Sequence, residues 1–163
     1  MMKLFRRIAI VVALFSSTLS GAFAADLNLR WLDAKGAVTA ERMLSLADID
    51  KLAQVKIDTS TPWTSGLQHF RGPTISTLAA LAPGKVASAT VIAINDYAVT
   101  LPSAAWEKYG PILATRLNDQ TMRVRDKGPF WVMFPIDSDP ELAEQHYQSL
   151  MVWQVKQIDF ITD

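Results

Sequence analysis

Residues 27–32 alternate, with Leu27, Leu29 and Trp31 on one side and Asn28 and Arg30 on the other. A period of two predicts a half-buried strand. The β-branched stretch 55–59 repeats the alternation and predicts a second. Between them Ser45 opens a short helix over 46–52, with acids near its start. Residues 61–68 carry Pro62, Trp63 and Gly66 and read as a loop. A helix follows over 74–81, with Pro73 in its first turn, Ile75, Leu78 and Leu81 on its apolar face and Pro83-Gly84 as its stop. The apolar runs 90–94 and 97–101 flank Asn95-Asp96, which suits a hairpin. Residues 112–117 form a further strand closed by Asn118-Asp119-Gln120, and 130–134 another ended by Pro135. A short helix is expected over 140–147 and a closing strand over 151–161. The expected fold is therefore α+β, a mainly antiparallel β core with about three short helices.

The first residues follow a different pattern. Lys3, Arg6 and Arg7 precede an unbroken apolar run, and small residues lead to Ala22-Phe23-Ala24. This is the layout of a signal peptide over 1–24, with cleavage near Ala24 and one domain over 25–163. The apolar run is shorter than the ~20 residues a membrane span needs. Arg6-Arg7 stands between Phe5 and Ile8 without the surrounding pattern of a twin-arginine signal, so Sec-type export to the periplasm is expected. No membrane span remains after cleavage.

Composition narrows the chemistry. The 163 residues hold 16 Lys plus Arg against 16 Asp plus Glu, so the basic excess of a nucleic-acid binder is missing. There is no cysteine, which removes disulfides, thiolate metal sites and cysteine nucleophiles. Only His69 and His146 are available as imidazole ligands, too few for a multi-histidine metal site.

Four phrases occur in a telling order: Phe70-Arg71-Gly72-Pro73 before a helix, Asn95-Asp96-Tyr97 in a hairpin, Arg125-Asp126-Lys127-Gly128-Pro129 before a strand, and Trp153-Gln154-Val155-Lys156 in the closing strand. This order resembles the oxidoreductase molybdopterin-binding domain, the sulfite-oxidase-like fold, and in particular its short exported members. The resemblance runs from about Val55 to Phe160. It implies a molybdenum cofactor held through a cysteine just after the strand that precedes the helix. Here that stretch reads Asp58-Thr59-Ser60-Thr61-Pro62-Trp63, so the thiolate is missing while the tryptophan matches. Asp58, Thr59 and Ser60 are the weak metal candidates left. The residues themselves call for no cofactor, and molybdopterin enters through the resemblance alone.

The candidate ligand-binding residues fall into three groups. Arg123, Arg125 and Lys127 are the densest positive cluster, and if Arg123 and Arg125 lie in a strand they share a face; with Gly128 admitting close approach they would suit a carboxylate, phosphate or oxyanion. The alternative is a solvated face paired with Asp119 or Asp126. His69 and Arg71 share one side of an extended segment. Asp96 and Tyr97 are polar groups of the hairpin, where Asn95 is the residue most tolerant of a positive φ. Trp63, as a loop aromatic, is the tryptophan placed to meet a ligand, while Trp131 and Trp153 suit the core or a pocket wall. No nucleophile elbow or phosphate-binding glycine loop is present.

The expected function is an exported, non-catalytic module that binds a small anionic ligand or an envelope protein partner in a signalling or redox system. The alternatives are a molybdenum-cofactor oxidoreductase with a non-cysteine ligand set, and an envelope interaction protein without a small-molecule pocket.

Overall fold

The computed structural model describes residues 26–162. The expected signal peptide lies outside them. The first strand, β1 (Asp26–Leu32), buries Leu27, Leu29 and Trp31 completely or nearly so, as the alternation requires. It pairs in parallel with the last strand, β11 (Val155–Thr162), with Leu29 opposite Ile158 and Trp31 opposite Phe160. The rings of Trp31 and Phe160 stack 5.4 Å apart, and the Trp31 indole N–H donates to the Ala79 carbonyl at 3.0 Å. A buried indole whose polar edge is satisfied contributes apolar burial without a desolvation cost.

Around this pair a five-stranded sheet forms in the order β2-β1-β11-β5-β6, where β2 is Val38–Ser45, β5 Val86–Ala93 and β6 Ala98–Pro102. Every other pairing in it is antiparallel. Strand β2 was not expected. It is an edge strand, and most of its residues are exposed on both faces, so no alternation marks it.

A second sheet, of four strands, contains β3 (Val55–Thr59), β4 (Gln68–Gly72), β8 (Arg116–Leu117) and β9 (Gln120–Thr121) in that order. A two-stranded sheet joins β7 (Ile112–Ala114) to β10 (Trp131–Met133). The single strand expected over 112–117 is therefore two strands serving two sheets. The switch is Thr115, fully buried, whose N–H donates to the Arg71 carbonyl at 2.8 Å.

Among the described residues there are four short α-helices: α1 (Leu46–Ile49), α2 (Ile75–Ala79), α3 (Ser103–Tyr109) and α4 (Gln145–Leu150). Helix α1 has a reciprocal capping box between Ser45 and Asp48. Helix α2 is capped by Thr74, which puts Pro73 before the cap and not in the first turn; the Pro73 carbonyl instead accepts the Leu113 N–H at 2.8 Å. Helix α3 was not expected. No side chain caps its start, so its one clear signal is the left-handed Gly110 that ends it. The helix expected over 140–147 is broken at Glu144, whose backbone is extended, into a 3-10 turn (Pro140–Ala143) and α4. Among the described residues no helix is long and apolar enough to cross a membrane.

Strands β4 and β7 approach so closely that a Cβ on Gly72 would lie 1.9 Å from the Leu113 carbonyl oxygen. Gly72→Ala is thus expected to lower the unfolding free energy by ~1–3 kcal/mol, the usual cost of forced overpacking, in a urea titration followed by circular dichroism. An unchanged midpoint would show that the two strands separate without penalty.

Candidate functional site

Among the described residues a cleft of about 440 Å3 is bounded by the loop after β3, the β5–β6 hairpin, α4 and the segment that leads into β11. Its walls are aromatic. Thr61 turns the loop by accepting the Trp63 N–H on its hydroxyl at 3.2 Å and bonding Thr64 at 2.8 Å. Trp63 is thereby held with its ring 5.5 Å from Trp153, edge to face, and 6.0 Å from Trp131. Trp131 is fully buried, whereas Trp153 is 37% exposed. The Trp131 indole N–H donates to the Met151 carbonyl at 3.1 Å, which fixes the floor beneath the Trp63 and Trp153 rings.

The hairpin supplies Asn95 and Tyr97 to the cleft. Asn95 accepts the Tyr97 N–H on its own side-chain oxygen at 3.2 Å, an Asx turn that leaves its amide nitrogen uncommitted. The positive φ of this turn falls on Asp96, at 66°, and not on Asn95. Asp96 points to Lys156 Nζ at 2.5 Å and does not line the cleft.

Helix α4 supplies Gln145, Gln148 and Ser149, none of them singled out from the sequence. Carboxamides and a lone hydroxyl carry no motif, so only the fold could bring them together. The helix is anchored from behind. Glu141, in the preceding 3-10 turn, accepts from Lys108 Nζ at 2.8 Å, from the Tyr109 hydroxyl and from the Tyr147 hydroxyl at 3.0 Å. This ties α3 to α4. The hydrogen bond from Lys108, followed by those from Tyr109 and Tyr147, pulls the Glu141 carboxyl down from its ordinary 4.5 to about 2. Tyr147 is pushed up to about 12, first by its hydroxyl neighbour Tyr109, then by burial and by Glu141.

The positive cluster is not a strand. Val124–Asp126 is a 3-10 turn, so Arg123 and Arg125 do not share a sheet face. Arg123 bonds Asp126 at 2.6 Å and borders a separate shallow depression; Arg125 stands 3.8 Å from the same carboxylate. Sequence reasoning had named Asp126 as the alternative partner. Lys127, left-handed at φ 67°, sends its ammonium to 5.7 Å from the Trp153 ring and 5.8 Å from Trp131. It puts the one cation of the cluster against a cleft wall. Gly128 admits protein and not ligand, since a Cβ there would lie 2.0 Å from the Met122 carbonyl oxygen.

His69 and Arg71 lie elsewhere. His69 pairs with Asp58 across β3 and β4 at 2.7 Å, both well exposed, and Arg71 stands 3.9 Å from Asp119. Neither lines the cleft. His146 packs against the Tyr147 ring at 5.1 Å.

At the position where the resemblance calls for a metal-binding thiolate, the donors are hydroxyls already in use. Ser60 donates both its N–H and its hydroxyl to the Asp137 carboxylate, at 2.7 and 2.6 Å. These bonds hold the Asp137 carboxyl below its ordinary range. In return the Asp137 N–H donates to the buried Thr59 hydroxyl at 3.1 Å. Asp58 is turned to His69 on the outer sheet face. Among the described residues no three His, Asp or Glu side chains gather as a metal site. This donor set does not fit a molybdenum centre: it offers no soft ligand and no free one.

No family model and no curated protein matches the chain. Among solved structures it is similar to the crystal structure of the sulfane dehydrogenase SoxCD from Paracoccus pantotrophus, with a TM-score of 0.57 and 12% identity. The match covers 85% of this chain but 38% of that one. The chain therefore shares a distant sulfite-oxidase-like fold, as the order of its sequence phrases implied, and at this identity the likeness extends to the fold alone.

Because the Glu141 carboxyl is lower in the folded chain than its ordinary value, its contribution to stability is complete above about pH 4.5 and is lost as pH falls toward 2. Glu141→Gln should lower the Tm at neutral pH, and the gap between variant and wild type should narrow over that acid range. Thermal unfolding by circular dichroism at a series of pH values checks this. A gap that is constant with pH would mean that the carboxylate's charge is irrelevant to the anchor.

Proposed function

We propose that this chain is an exported, non-catalytic binding module, a sulfite-oxidase-like scaffold that takes a ligand in the Trp63–Trp153 cleft and performs no chemistry there. One observation carries the reading. The cleft is walled by the half-buried Trp63 and the exposed Trp153 and lined by neutral amides and hydroxyls, with no carboxylate, imidazole, amine or guanidinium among its lining residues. General acid–base and nucleophilic catalysis need an activated group, and the lining hydroxyls of Tyr97 and Ser149 have no carboxylate, imidazole or amine among the lining residues to activate them. Binding needs apolar walls and a few polar groups, which are present. The ligand is an aromatic or otherwise flat molecule with an anionic group, the flat part against the indoles and the charge toward Lys127. The closed Thr59–Ser60–Asp137 cluster supports the absence of a molybdenum cofactor.

A planar aromatic anion, 8-anilinonaphthalene-1-sulfonate, should bind the native protein at one site, and so should its neutral relative N-phenyl-1-naphthylamine. Trp153→Ala and Trp63→Ala should weaken both in fluorescence titrations. Lys127→Gln should weaken the sulfonate alone, by about 1.5-fold to fivefold, the range of one exposed ionic contact. Binding indifferent to both tryptophan variants would remove the cleft from the account.

Elemental mass spectrometry of protein isolated from molybdate-replete cells should find molybdenum far below one atom per chain. A stoichiometric content would overturn the non-catalytic reading.

A further inference from the structure

The mouth of the cleft is more apolar than a small ligand requires. Tyr97 is 50% exposed, Ile94 47%, Val124 51% and Trp153 37%. These are four of the largest exposed apolar side chains among the described residues, and hydrogen bonds gather them. The Ile94 N–H donates to the Gln154 carbonyl at 2.9 Å, and the Gln154 side-chain amide donates to the Val124 carbonyl at 2.6 Å. Gln154 directly follows Trp153, so hairpin, cleft wall and 3-10 turn form one strip. Exposed apolar side chains gathered on neighbouring segments are a feature of interaction surfaces as well as of ligand grooves.

The strip has a charge at one end. The Gln154 N–H donates to the Lys127 carbonyl at 3.2 Å, which fastens the cationic turn beside Trp153. Arg123, Arg125 and Lys127 there face a single acid, Asp126, so the turn carries net positive charge. The opposite wall, Gln145, Gln148 and Ser149, is neutral and keeps hydrogen-bonding capacity. Gln148 uses its amide nitrogen on the Ala143 carbonyl and leaves its oxygen free, and no hydrogen bond occupies the Gln145 amide. Side-chain amides of this sort match the alternating N–H and C=O groups of an extended backbone.

Resting on the binding reading above, we infer that the natural occupant is a peptide segment of a partner protein, one that places an aromatic or proline anchor in the cleft against the touching Trp63–Trp153 pair and acidic residues against Arg125 and Lys127. The anchor fills the cleft, the adjoining chain runs over Ile94 and Tyr97, and the acids meet the excess cation. This combines the aromatic-groove and acidic-motif modes of peptide recognition. Charge complementarity sets the direction in which the segment lies, because the cationic turn stands at one end of the strip alone.

The test is a selection from a random dodecapeptide library displayed on phage, run against the full chain as isolated. The expected result is a consensus with an aromatic residue or proline followed or preceded by Asp and Glu. A labelled peptide of that consensus should lose about tenfold in affinity with Tyr97→Ser or Trp153→Ala, the scale of an interface anchor. The charge reversal Arg125→Glu, at a side chain too exposed to disturb folding, should weaken it further at low salt than at high salt. No enrichment over blank support, a consensus without acids, or affinity indifferent to Tyr97→Ser and Arg125→Glu would overturn the inference. If the naphthalene probes still bind in a tryptophan-dependent way, the small-ligand reading survives that result; if they do not, both fall.

Discussion

The indole of Trp131 has to be buried, and its N–H has to find an acceptor, and much of the structure follows from how both are met. The ring lies fully buried in β10, edge to face with Phe70 of β4 at 5.6 Å, so it joins the two-stranded to the four-stranded sheet. Its N–H is taken by Met151, in the irregular segment that connects α4 to β11. The closing strand then begins at Val155 and not at Met151, because Gln154 before it is left-handed at φ 53°. Trp153 is then left outside regular pairing except for one bridge, to Trp131 itself. The exposed wall of the cleft is a consequence of satisfying the buried floor.

The same economy governs the loop after β3. In a sulfite-oxidase-like scaffold the end of this strand is where the resemblance places a metal ligand. Here Thr59, Ser60 and Asp137 bond one another through both backbone and side chains, and Thr61 bonds Thr64. An exposed hydrogen bond of this kind contributes little to stability alone, but a reciprocal set fixes the direction in which the chain leaves the strand. That direction delivers Trp63 against Trp153. A cluster that would have to open to accept a metal is instead used to position an aromatic wall.

How much of this was legible follows from what each residue touches. Strand β1 was legible because one of its faces is buried and the other wet. Strand β2 was not, since it has no buried face to alternate against. The run 112–117 reads as one strand because no turn residue marks the boundary between sheets, and the switch residue, Thr115, is β-branched and buried like the strand before it. Trp63 and Tyr97 could be singled out as aromatics in loops, and both line the cleft. Arg123 and Arg125 misled because two basic residues at a spacing of two read as a strand face. Asp126, three residues after Arg123, instead captures that guanidinium across a 3-10 turn. The α4 wall left no trace in the sequence, because Gln145, Gln148 and Ser149 have no distinctive chemistry until a fold faces them toward an indole.

A fold and its chemistry are separable. The fold is a matter of packing, and a similar one occurs at 12% identity in a much longer dehydrogenase. A catalytic centre depends on a few side chains whose partners must be left free for substrate or metal. In this chain several polar groups are spent on one another: Ser60 on Asp137, Asp58 on His69, Arg123 on Asp126, Glu141 on two tyrosines and a lysine. The groups that remain unspent are indole faces, amide edges and the ammonium of Lys127 beside them. Those are groups that recognise and hold, and the proposed role as a binding module rests on that division between the side chains already committed and those still free.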